Sequence, residues 1–288
     1  MNQIFISCLF LISGFLPQDS GIPTEVIQQD DPELKDLAWN RYVTKNFTIL
    51  SINDAQGKKL SENIEPLKSL SLTRWGFPDV KFSKECRLFC VPNYSLLKKL
   101  FGLSAPKVQF RKELNVIWVV LDNDIEKNVQ SVLTQVALAE YETVHNTTLP
   151  FWFKRGCSAL NSNVDEIKNN LKFFNEIAKK EQFSHSAEQM FLATEEEYNK
   201  QSIDNKKTFD SQAVCLALML RKEFGEAKLQ GFLRLQSKNK TEVVLKLIFG
   251  FDGFSQFDKK YIAYMKDICG DIVDDKTPDF YLQVQAVE

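Results

Sequence analysis

The sequence predicts an α+β fold: a small N-terminal mixed β-sheet with helices, followed by a mainly α-helical C-terminal part. Three observations predict it. Runs rich in β-branched and aromatic residues occur up to residue 122. Beyond Asp124 apolar residues recur every three or four positions, the helical period. The 288 residues are 44% hydrophobic and 26% charged, enough apolar matter for a buried core and too much charge for a membrane bundle.

The chain begins MNQIFISCLFLISGFLPQDSG. Its apolar run, Ile4 to Leu16, is shorter than the roughly 20 residues that cross a bilayer. It fits the core of a signal peptide, with cleavage near Ser13–Gly14 or Ser20–Gly21, and implies export to a periplasmic or extracellular location. A buried N-terminal helix or an uncleaved anchor is the alternative reading, since no basic residue precedes the run.

The elements then follow in order. DPELKDLAWNRYV reads as a short helix entering a strand, and YVTKNFTILSI, residues 42 to 52, as that strand. Residues 54 to 73 carry Leu60, Ile64, Leu67 and Leu70 on one helical stripe. RLFCV (87–91) and LNVIWVVLD (114–122) are strands, VQFRKE (108–113) pairs with the second, and NYSLLKKLF is a helix between. Ile125, Val129, Val132, Val136, Ala139 and Thr143 lie on a single face of the next helix, and Pro150 starts another. Further helices are expected over 164–182, 207–224 and 255–269. The expected division is 1–21 signal peptide, 22–123 sheet subdomain, 124–270 helical subdomain and 271–288 tail.

Composition excludes several function classes. The 36 basic and 38 acidic residues leave a net charge of −2, without the basic stripe that a nucleic-acid partner requires. Cys86 and Cys90 sit four residues apart on one strand, roughly 13 Å, beyond disulfide reach, and read as buried apolar residues. N-x-S/T sequons begin at Asn46, Asn93, Asn146 and Asn239. Ser184–His185–Ser186 lacks a nucleophile elbow and reads as a surface loop, and Glu195–Glu197 as a solvated helix start.

One segment carries chemistry. LAEYETVHNTTLPFWFKRGCSAL, residues 138 to 160, follows the sheet and precedes the remaining helices. It resembles the gluzincin peptidases of the thermolysin clan, also called peptidase MA-like. The likeness is strongest to secreted bacterial families whose signature runs H-E-x-x-H, a short linker, then L-P-x-W-L-x-E-G-x-A. LPFWFKRG is the most specific piece. NRYVTKNFTIL is similar to that family's opening strand and KKTFDSQAVCLALML to a later helix, so the resemblance runs weakly from Trp39 to about Ile268.

The resemblance implies a zincin-like fold and a definite ligand set. Two histidines at i and i+4 and a glutamate from the following helix would hold zinc, while the glutamate after the first histidine would act as general base. In one register Ala139, Glu140 and Thr143 stand for the first histidine, the base and the second histidine. In the other, Tyr141, Glu142 and His145 do. In both, Arg155 stands where the third ligand belongs, and Asp210 where a later tyrosine would be. A guanidinium offers no lone pair to a metal.

The whole chain has two histidines, His145 and His185, so no H-E-x-x-H exists in it. The expectation is a degenerate member, a pseudoenzyme with no catalytic residue and the zinc lost. Its partner would be a peptide or protein held in the old cleft, with no nucleic acid and no stable membrane span. A hydrolase using Glu140 or Glu142 with His145, and a purely structural interaction domain, are the alternatives. Arg155 is further expected to pair with Glu140 or Glu142 across the two helices.

Overall fold

The computed structural model describes residues 37–121, 125–160, 172, 176 and 185–273. The segment expected as a signal peptide, most of the helix expected over 164–182 and the chain beyond Val273 lie outside the described residues. Five strands form one mixed sheet in the order β1-β2-β3-β5-β4: β1 Asn40–Val43, β2 Phe47–Ser51, β3 Glu85–Val91, β4 Lys107–Phe110 and β5 Leu114–Val120. β2, β3 and β5 run parallel, while β1 and β4 pair antiparallel at the two edges. The region expected as one strand over 42–52 is instead a hairpin. Its turn is closed by Thr44 N–H donating to the Phe47 carbonyl and by the Glu65 carboxylate, which accepts from Asn46 N–H and from its side chain.

The central strands are buried on both faces, as parallel strands covered by helices must be. Alternate residues therefore serve two cores. Ile49, Cys86, Leu88, Cys90, Ile117 and Val119 face the larger one, which also takes Leu60, Ile64 and Leu67 of α1 (Asp54–Thr73). Phe89, Val91, Val116, Trp118 and Val120 face a smaller one, closed by Leu97 and Leu100 of α2 (Tyr94–Phe101) and by Trp39. Cys86 and Cys90 are free and buried, as expected. On α1 the stripe rotates. Leu70 is half-buried, and Lys68 goes inside, its ammonium satisfied by Asp79 at 2.8 Å and the Val80 carbonyl at 2.6 Å.

The helical part begins with α3 (Ile125–His145) and α4 (Phe151–Leu160), the latter starting just after Pro150. Next come α5 (Ala187–Leu192), α6 (Glu195–Asn199), α7 (Ile203–Phe224) and α8 (Glu226–Gln236). A short helix, α9 (Thr241–Val244), runs into a π-helical turn over Leu245–Phe249, and α10 spans Phe254–Val273. The larger core is continuous from Phe47 on β2 to Met265 on α10, so the sheet and the helices share one hydrophobic interior. Among the described residues, no helix is long and apolar enough to cross a membrane.

The α3 stripe departs from its expected course. Val129, Val132 and Val136 are buried, but the inward face continues through Ala137, Glu140 and Tyr141, leaving Ala139 half-exposed and Thr143 exposed. The expected stripe averages about 3.6 residues per step and runs straight, but the buried face is centred between Val129, Leu133, Ala137 and Glu140, so Ala139 and Thr143 lie at its margin.

Gly156 sets the distance between α4 and α7. A Cβ built there would lie 2.6 Å from the Ala213 carbonyl oxygen and 2.8 Å from its carbon, both backbone atoms. Gly156→Ala gains up to about 1 kcal/mol in helix propensity. Forcing two backbones apart costs about 1–3 kcal/mol. A net loss of about 1–2 kcal/mol in urea unfolding is the expected result.

Candidate functional site

Three polar clusters take up the positions that the resemblance singles out. The first is built on Glu140, 3% exposed on the sheet side of α3. One carboxylate oxygen accepts from both the backbone N–H (2.7 Å) and the hydroxyl (2.6 Å) of Ser83, just before β3. The other accepts from the Asn115 amide at 2.8 Å, on β5. Asn115 also donates weakly to Cys86 Sγ at 3.7 Å. Burial raises the Cys86 thiol to about 12, with the Asn115 hydrogen bond opposing it and nearby carboxylates adding to it. Glu140 therefore ties α3 to the strand ends through three hydrogen bonds from neutral donors.

The second cluster closes the linker between the two helices. Glu142 accepts from Leu149 N–H at 2.6 Å and from the Lys154 ammonium at 3.1 and 3.2 Å. Next to it Tyr141 is buried against Phe77, with ring centroids 4.5 Å apart, and His145 is exposed with its ring 4.4 Å from that of Tyr141. Thr143 donates its hydroxyl back to the Ala139 carbonyl at 3.0 Å, within its own helix.

The third cluster corrects an expectation. Arg155 pairs with neither Glu140 nor Glu142. Its Nε donates to Asp210 Oδ1 at 2.9 Å, and its Nη2 to Asp210 Oδ2 and, at 2.7 Å, to the Tyr198 hydroxyl. Tyr198 in turn donates to Asp210 Oδ2 at 3.0 Å. The reason is the packing just described. Gly156 meets Ala213 on α7, and Arg155 and Asp210 lie one and three residues before those contacts, so close approach of the backbones brings the pair together. Glu140 and Glu142 are already committed elsewhere. Burial alone would lower the Arg155 pKa, but the hydrogen bond and charge of Asp210 outweigh it and hold it above its ordinary value. Burial first, then the Asp210 charge, push the Tyr198 hydroxyl upward, so both groups keep their protons at neutral pH.

Around this pair the packing is aromatic. Tyr198 stands 5.3 Å from Phe151 and 5.4 Å from Phe209 between ring centroids, with Lys206 5.5 Å over its ring. His185, expected as a surface-loop residue, is half-buried. Its ring meets Phe209 edge-on at 5.2 Å, its Nε2 lies 3.0 Å from the Gln201 amide nitrogen, and burial lowers its pKa against the opposing effect of its hydrogen bond to Gln212.

The structure thus unites two of the singled-out positions, Arg155 and Asp210, and sends the others to separate partners. Among the described residues, no hydrogen bond or ion pair links Ala139, Glu140, Thr143 or His145 to Arg155. Nor does the donor set fit zinc. Ala139 has no donor atom, the Thr143 hydroxyl is turned to its own helix, and Arg155 is a bound cation. Sequence reading missed Ser83, Asn115, Lys154 and Tyr198. Only Asn115 left a signal, a lone amide inside the apolar run LNVIWVV. Comparison with family models and with curated proteins gives no match.

Proposed function

We propose that this chain is an exported gluzincin-like pseudo-peptidase, which holds a peptide or protein segment in the old cleft without cutting it. The observation that supports this reading is the Arg155–Asp210–Tyr198 cluster. At the position where the resemblance calls for a metal-binding carboxylate stands a cation, held by a fork of hydrogen bonds and packed on an aromatic ring. Such an arrangement repels a divalent ion and supplies it no lone pair. The carboxylate at the base position of the first register is equally committed, to Ser83 and Asn115.

β4, an edge strand with Phe110 52% exposed, gives an extended segment backbone groups to pair with. The test is cleavage of a mixed peptide pool by the purified chain, with and without a chelator. No cleavage is expected in either arm. Chelator-sensitive cleavage would refute the reading. A restoration variant, Ala139→His, Thr143→His, Arg155→Glu and Asp210→Tyr, should gain zinc binding if the first register holds. Asp210 must change with Arg155, because a glutamate at 155 would otherwise face its carboxylate.

A further inference from the structure

We infer that the outer face of α9 and of the π-helical turn that continues it docks reversibly on an anionic lipid bilayer. Of the large apolar side chains exposed among the described residues, only Val243 (58%) and Leu247 (70%) share one continuous helix. Apolar residues scattered singly are normal on a surface, but two of them four positions apart form one patch. The opposite face fixes this patch in place. Thr241, Val244 and Leu245 are buried, and Ile248 lies against Gly231 of α8. The Phe249 ring stands 4.5 Å from that of Phe224 and 5.1 Å from that of Phe232. Gly250, at φ 79°, ends the turn, its N–H donating to the Lys246 carbonyl at 3.0 Å. Burying Val243 and Leu247 therefore requires no rearrangement of the fold.

Basic residues border the patch. Between Ser237 and Gly250 the exposed Lys238, Lys240 and Lys246 stand against one acidic residue, Glu242, in a chain whose net charge is −2. Lys246 is held by Asp252 at 2.9 Å, and the Glu242 carboxylate lies beside Gly253, which leaves Lys238 and Lys240 to meet anionic headgroups. This combination selects among occupants. Two aliphatic side chains cover far less than the roughly 800 Å² that each partner buries in a stable protein interface, and lysine is depleted at such interfaces. A bilayer suits both residue types. The aliphatic groups enter the acyl boundary, while the lysine stems lie along it and keep their ammonium groups at the headgroups. With so few groups engaged the docking is weak, screened by salt and distinct from a membrane span.

The test is sedimentation of the full chain with vesicles of phosphatidylcholine, alone or with about one-third phosphatidylserine. The apolar run Ile4–Leu16 is present in every variant, so only differences between variants count. The serine-lipid vesicles are expected to bind more tightly, an advantage that about 0.5 M salt removes. Val243→Ser with Leu247→Ser should weaken binding about tenfold or more. Lys238→Gln with Lys240→Gln should remove most of the preference for the anionic vesicles, about tenfold. All four side chains are exposed, so urea unfolding should be unchanged. Leu247→Trp should bind more tightly, since tryptophan favours the headgroup boundary. The inference is overturned if the serine pair binds vesicles as the native chain does, or if the native chain shows no preference for the anionic ones. A concentration-dependent dimer that the serine pair abolishes would also overturn it, by assigning this face to a second copy of the chain.

Discussion

Replacing Glu140 by alanine is expected to destabilise the chain by about 3–5 kcal/mol, the largest effect of any single change at these clusters. Three donors converge on this carboxylate from two places distant in sequence, the Ser83 segment and β5, and it is almost fully buried. Truncation leaves the Ser83 N–H and the Asn115 amide without acceptors, each at about 1–3 kcal/mol, and opens a small void. Glu140→Gln should cost much less, about 1 kcal/mol. Its remaining oxygen still serves Ser83, and Asn115 can turn its Oδ1, which has no partner now, toward the new amide. Urea unfolding of the two variants measures the difference. A Glu140→Ala loss under about 1 kcal/mol would show that the hydrogen bonds are not formed as described.

Arg155→Met is the second large effect, about 2–3 kcal/mol. The full cost of stranding a buried charge reaches about 3–5 kcal/mol, but the Arg155 side chain is 30% exposed and Asp210 16%, so water recovers part of it. Arg155→Glu should be worse, because two carboxylates then share the space. Changing both members, Arg155→Met with Asp210→Leu, should recover most of the loss, since apolar pairs replace buried ion pairs at little net cost. A double-mutant cycle in thermal or urea unfolding reads the coupling directly. Equal, additive losses from the two single changes would mean the pair contributes nothing as a pair.

Much of the fold was readable because periodicity reports burial. The α1 boundaries, the β4–β5 pairing and most of α7, expected over 207–224, all follow from apolar spacing. The hairpin at 44–46 was not, because its turn depends on Glu65, nineteen residues away from the Asn46 that it holds. The site divides in the same manner. Residue chemistry pointed to Arg155 and Asp210 one at a time, as positions unlike those of the resembling peptidases. Their pairing spans 55 residues and depends on how closely Gly156 lets two helices approach, a distance that no local pattern encodes. The Tyr198 hydroxyl was hidden for a simpler reason. Thr194 and Glu197 form a capping box at the start of α6, and that local signal accounts for the whole segment without requiring a further role.

The most direct measurement is the zinc content of the full chain, produced in zinc-supplemented medium and then desalted. Trace metal alone is expected, and Arg155→Met alone should not raise it, since Ala139 and Thr143 still supply no imidazole. A stoichiometric zinc, held through desalting and released by a chelator, would contradict the assignment of this site to binding without hydrolysis.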